Sequence, residues 1–113
     1  MIEPKRPKMT AVESRQGYEK AADRSFGLCE ACGLQQAVQM HHRLHRSHGG
    51  DERVENLLHV CLKCHYDAHH DSLRYVNGWA VRSGYSPGAV DVLYRGELAT
   101  LTDDGGLIER RAA

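Results

Sequence analysis

The sequence predicts a small α+β fold: two short strands and a helix stapled together by four cysteines, with one helix before this core and a β-hairpin tail behind it. Three observations predict it. The four cysteines fall as two pairs, Cys29-x-x-Cys32 and Cys61-x-x-Cys64, and all eight histidines lie in the same window, residues 29–70. The residues between and after the pairs alternate and then repeat as strand, loop, strand and helix. The chain is only 113 residues long with 6% aromatics, and so small a core gains from a metal or disulfide staple.

Residues 1–9 hold two of the three prolines and the basic run Lys5-Arg6-Pro7-Lys8, and read as an extended arm. Thr10-Ala11-Val12-Glu13 fits a capping box and predicts a helix over Ala11 to Ser25, weakened at Gly17 and stopped by Gly27. Its thin apolar face is Val12, Tyr18, Ala21 and Ala22. Val38 to Leu44 reads as a strand, His45 to Glu55 as a polar loop bending at Gly49-Gly50, and Leu57 to Val60 as a second strand that pairs with the first. A helix follows over Leu62 to Val76, with Leu62, Tyr66, His69, Leu73 and Val76 as its stripe. Trp79 and Val81 alternate with polar neighbours. Val90 to Arg95 and Leu98 to Thr102 flank Gly96-Glu97 as a hairpin, and Leu107-Ile108 follows a turn. The arm and first helix take residues 1–25, the core 26–77 and the β extension 78–113, all within one domain.

Formal net charge is zero, so the whole-chain balance does not announce a nucleic-acid partner. The distribution says more: residues 1–50 carry eight Lys/Arg against five Asp/Glu, and residues 51–113 carry seven against ten. No apolar leader and no membrane-length run is visible, which predicts a cytoplasmic location without membrane contact. In a reducing compartment paired Cys-x-x-Cys motifs read as metal ligands before disulfides.

Four thiolates from two knuckles make a closed tetrahedral zinc site, which is structural because no coordination position stays open. The insert between the knuckles is longer than a zinc ribbon needs, and it carries His41-His42. His65 and His69 follow the second knuckle at helical i,i+4 spacing. Two imidazoles from a helix and one from a facing strand can hold a second ion with open positions, as catalysis requires. His69 borders the apolar stripe and suits either the core or this metal. An unligated imidazole nearby suits general-base work. Arg43 and Arg46 flank the pair as phosphate contacts, with His45 and His48 weaker candidates. His59 and His70 read as structural or surface residues, and Trp79 as core.

The order His41-His42, Asn56, His65 between two Cys-x-x-Cys pairs resembles the signature of the HNH endonucleases, in particular the zinc-bearing group of bacteria and their phages. The segments HHRLHRSHGG and ENLLHVCLKCHYDAHH carry the likeness, over about residues 26–70. The tail from Trp79 to Ile108 is more loosely similar to small phage proteins of that group. The resemblance implies a ββα-metal fold that hydrolyses DNA phosphodiester bonds, leaving 5′ phosphate and 3′ hydroxyl ends. It implies His42 as general base, and His41, His65 and His69 as ligands of one catalytic divalent ion (Mg²⁺, Mn²⁺, Ni²⁺ or Zn²⁺). Asn56 has two family roles, metal ligand or brace of the loop that holds the base; with His65 and His69 available, bracing is expected. The implied partners are DNA and phage DNA-packaging (terminase) proteins. Neighbouring strand residues point to opposite faces, so a twist or bulge at the strand end is expected to bring His41 and His42 to one site. Two other readings stay open: a zinc-finger DNA-binding module that does not cleave, and a zinc-stabilised protein-interaction domain.

Overall fold

Thr10 starts the first helix. Its hydroxyl accepts from the Glu13 amide at 3.1 Å, and the Glu13 carboxylate accepts from the Thr10 amide at 2.9 Å, so two of the helix's orphan donors are satisfied reciprocally. A computed structural model describes residues 7–110; Lys5 and Arg6 of the expected arm lie outside the described residues. Helix α1 spans Ala11–Ser25 and ends in a left-handed cap at Phe26. Its buried positions are Gly17, Ala21 and Ser25. Val12, expected on the apolar face, is exposed instead.

Strands β1 (Gln39–His42) and β2 (Leu57–Val60) form an antiparallel pair in which Gln39 faces Val60 and His42 faces Leu57. The register is continuous, so no bulge interrupts the pair. Ordinary alternation decides the matter: opposite residues share a face. Gln39 and His41 lie with Leu58 and Val60. Met40 and His42 lie with Leu57 and His59, on the side where Ala21, Val54 and Leu57 form a small core lined by Tyr18 and Met40.

Helix α2 spans Leu62–His70, shorter than the pattern predicts. Asp71 leaves the helical region (φ −64°, ψ 136°), and its carboxylate accepts from the Leu73 amide at 2.7 Å, so the chain turns where the expected helix would continue. The expected stripe is overturned as well. Leu62, Tyr66, Leu73 and Val76 are exposed, and the buried residues of α2 are Cys64 and Ala68. The knuckle, not the apolar periodicity, chooses which face packs.

The tail forms an antiparallel sheet in the order β3 (Val92–Tyr94), β4 (Glu97–Leu101), β5 (Leu107–Glu109). Trp79–Val81 joins no strand. The hairpin loop is Arg95-Gly96, one residue earlier than expected, because Tyr94 pairs with Glu97. Both loop residues have positive φ, 51° and 90°, the requirement of a type I′ turn, which glycine meets without steric cost. Arg95 is held there by its guanidinium, which donates to the Ser25, Leu28 and Cys29 carbonyls.

Sheet and knuckles share one core: Cys29, Ala31, Leu58, Val60, Cys61, Cys64, Val92, Tyr94, Ala99 and Leu101. Trp79 packs against it and donates its indole N–H to Leu93 at 2.9 Å. Beside this core sits a buried carboxylate. Glu30 accepts from Arg24 at 2.6 and 3.0 Å, from the Tyr94 hydroxyl at 2.7 Å and from the His59 amide at 2.8 Å. The set ties α1, the first knuckle, β2 and the tail together, and its donors offset the cost of burying the charge. The architecture is α+β, with helices and antiparallel strands. No helix among the described residues is long and apolar enough to cross a membrane.

Candidate active site

Two groups of ligating side chains converge. The sulfurs of Cys29, Cys32, Cys61 and Cys64 lie within 4.8 Å of one another, close to the spacing of about 3.8 Å that four thiolates around zinc adopt. Backbone amides already point at them: Cys32 N lies 3.5 Å from Cys29 Sγ and Leu34 N 3.4 Å from Cys32 Sγ. Burial works against ionising Cys29, but the amides of Cys32, Cys61 and Ala31 outweigh it and bring the thiol down to about 7. This cluster has the chemistry of a structural zinc site.

The second group is His41, His65 and His69, one ligand nitrogen from each, again within 4.8 Å of one another. His41 projects from β1 with 1% exposure, and its Nε2–H donates to the Trp79 carbonyl at 2.6 Å. That bond fixes the tautomer and leaves the lone pair on Nδ1, which is the one buried side-chain polar atom among the described residues without a partner. A buried nitrogen with no partner carries a desolvation cost that a metal would relieve. His65 Nδ1–H donates to Gln39 Oε1, which leaves Nε2 facing His69 Nε2 at 3.2 Å. Two imidazole nitrogens on one tetrahedral zinc sit about 3.3 Å apart, so the residues present fit a shared ion. Burial pushes His41 down to about 3, against the Trp79 carbonyl. Burial and then His42 lower His65, while burial and then the neighbouring imidazoles lower His69. All three are thus held neutral near pH 7, the form that binds a metal. His65 is half-buried and His69 exposed, so the group opens to solvent on one side.

His42 faces the other way. Its Nε2–H donates to Glu52 Oε2 at 2.9 Å, and its ring meets Tyr18 edge-on, centroids 6.3 Å apart. It stands outside the triad, yet close enough for its charge to lower His65. Asn56 is 1% exposed and fully engaged with backbone: Oδ1 accepts from Leu44 N at 2.7 Å, and Nδ2 donates to the Leu44 and Asp51 carbonyls at 3.0 and 2.9 Å. It bridges the two ends of the loop after β1.

The family model of HNH endonucleases matches residues 29–71. That segment is similar to the HNH endonucleases. No curated protein and no solved structure matches the chain.

Within the matched segment the two arginines part company. Arg43, expected on phosphate, is fully buried. Its guanidinium donates to the carbonyls of Gly78 (2.7 Å), Glu55 (2.9 Å), Pro87 (3.0 Å) and Val90 (2.7 Å), and Arg43 N–H to the Asn56 carbonyl at 2.8 Å. Position 43 alternates back to the His41 face, where the tail covers it, so DNA has no access to this side chain. Burial pushes its pKa down to about 9, with Arg24 adding to the shift and Asp91 and Glu55 opposing it, and it remains charged at neutral pH. Arg46 is 70% exposed on the loop, 3.4 Å from Glu52. His45 stacks on His48 at 5.8 Å and reaches His69 at 5.2 Å between ring centroids, so this loop borders the open side of the triad. His59 bonds Ser25 Oγ through Nδ1 at 2.7 Å, and His70 is exposed against Tyr66.

A cleft of about 720 Å³ beside the loop is lined by Lys8, Ser14, Arg46, Glu52 and Arg53 among others, and includes none of His41, His42, His65 and His69. Sequence reasoning missed three residues that hold the histidines. Gln39 was legible, since it lies two positions before His41 on the same strand face. The Trp79 carbonyl and Glu52 had no local signal.

Proposed function

We propose that the protein is a metal-dependent DNA endonuclease. The observation that carries the reading is the buried, unpartnered Nδ1 of His41 converging with His65 and His69 inside the segment similar to the HNH endonucleases. A pure binding module has no use for an open triad of neutral imidazoles. On this reading the four cysteines hold a structural zinc, and His41, His65 and His69 hold one divalent ion. When bound, that ion supplies a Lewis acid for the charge that develops on phosphate and on the leaving 3′ oxygen.

The chain's own residues do the rest. His42 is the general base. Its Nε2–H is engaged with Glu52, so the lone pair lies on Nδ1, and this atom takes the proton of the attacking water. The water oxygen bonds to phosphorus as the P–O3′ bond breaks, and the leaving oxygen gains a proton from solvent, which gives 5′ phosphate and 3′ hydroxyl ends. Asn56 acts as the brace of the loop between His42 and β2, since its amide already spans Leu44 and Asp51. Arg46, exposed on the loop whose His45 meets His69, contacts a backbone phosphate. The likeness of segment and tail to small phage proteins supports a DNA-packaging (terminase) partner, tested by pull-down with a terminase.

The test is nicking of supercoiled plasmid with Mg²⁺, Mn²⁺, Ni²⁺ or Zn²⁺, followed by end mapping. His42→Ala is expected to lower cleavage by about 10²–10⁴-fold while zinc content and circular dichroism stay unchanged. Cleavage at the wild-type rate in that variant would sink the assignment of the base. No cleavage by the wild type with any of the four metals would sink the enzyme reading.

A further inference from the structure

Glu52 is built into the structure more firmly than a surface carboxylate. Its side chain is 7% exposed. One oxygen accepts from the Ser14 hydroxyl at 2.9 Å; the other accepts from His42 Nε2–H at 2.9 Å and lies 3.4 Å from Arg46. Burial opposes its ionisation, but the bonds from His42 and Ser14 and the charge of Arg46 outweigh it and hold the pKa below the ordinary value.

The second observation is independent of these bonds. Gly17, one turn after Ser14 on α1, is buried, and a Cβ there would meet the Glu52 carbonyl oxygen at 1.7 Å. Only glycine allows the helix this close to the Glu52 backbone. Tyr18, the next residue, supplies the edge-on ring against His42. Ser14, Gly17 and Tyr18 occupy one helix face at i, i+3 and i+4, and all three lie outside the segment 29–71 that matches the family model.

We propose that Glu52, clamped by α1, is the positioning residue of His42: it holds the imidazole as the Nε2–H tautomer and presents Nδ1 to the water. This rests on the reading of His42 as base. A carboxylate on one ring nitrogen defines which nitrogen carries the lone pair, and the clamp defines where that nitrogen points. α1 therefore belongs to the catalytic apparatus, although it supplies none of the metal ligands.

The test uses the full-length, zinc-loaded protein. In wild type, long-range ¹H–¹⁵N correlation of the imidazole rings, with the His42 signals assigned by their loss in His42→Ala, is expected to show His42 as the Nε2–H tautomer. Glu52→Ala is expected to lower kcat by about 10–100-fold with KM for DNA within about twofold. Glu52→Gln, which keeps an acceptor, is expected to retain more activity. In the His42→Ala background Glu52→Ala is expected to cost nothing further, because residues acting as a unit are non-additive. Wild-type kcat in Glu52→Ala alongside an inactive His42→Ala overturns the positioning role and leaves the base intact. An active His42→Ala overturns both. If Glu52→Ala does not fold, the wild-type tautomer decides: His42 found as Nδ1–H overturns the proposal.

Discussion

Cys61→Ala, or an excess of a strong chelator, is expected to unfold the protein rather than merely inactivate it. Cys61 is the residue that caps α2, Cys64 is one of the two residues of that helix that are buried, and Cys29 is fully buried in the first knuckle. The core around them is small: beyond the cysteines its buried members are Ala31, Leu58, Val60, Val92, Tyr94, Ala99 and Leu101. A structural zinc contributes about 10–16 kcal/mol of folding free energy. That is comparable with the whole net stability of about 5–15 kcal/mol expected of a domain, so losing it leaves little or nothing to hold the fold. The measurements are metal content by mass spectrometry, far-UV circular dichroism and thermal unfolding. A Cys61→Ala protein that is zinc-free, folded and cooperative would refute the structural role of the cluster.

The sequence announced what local chemistry decides. Thr10 and Glu13 announce the start of α1 because a capping box needs only four consecutive residues. Leu57–Val60 is legible as a strand, and the cysteine spacing announces a four-thiolate cluster, for the same reason. What was not legible is what distant backbone decides. The stripe Leu62, Tyr66, Leu73, Val76 has helical spacing, but the helix ends at His70, and Cys64 and Ala68 are the residues turned inward beside the second cysteine pair. Periodicity reports a consistent face only while the helix lasts. The opposite directions of His41 and His42 follow from plain strand alternation; the partners that give each direction a purpose, Trp79 and Glu52, lie 38 and 10 residues away.

Arg43 shows the same limit and gives the second large prediction. Beside two histidines and a polar loop it reads as a phosphate ligand, since a guanidinium looks alike in sequence whether it meets phosphate or carbonyl oxygens. Here it gathers four carbonyls from Glu55, Gly78, Pro87 and Val90. Replacing a buried ion by an apolar group of similar size can be neutral, but only when the partners do not need it. The Gly78 and Val90 carbonyls do, whereas Pro87 also accepts from the Val90 amide, and each one stranded costs about 1–3 kcal/mol. Arg43→Met is therefore expected to lose about 2–6 kcal/mol, the size of a broken buried network. Arg43→Lys is expected to lose much of that too, because a single ammonium cannot span four acceptors. Arg46→Ala should behave in the opposite way: no change in stability beyond about 0.5 kcal/mol, weaker binding to DNA of any sequence, and a salt dependence shallower by about one unit. Denaturant unfolding and salt titration of DNA affinity on the variants separate the two roles. An Arg43→Lys protein with unaltered stability and weakened DNA binding would return Arg43 to the interface and discard its role as the lock between core and tail.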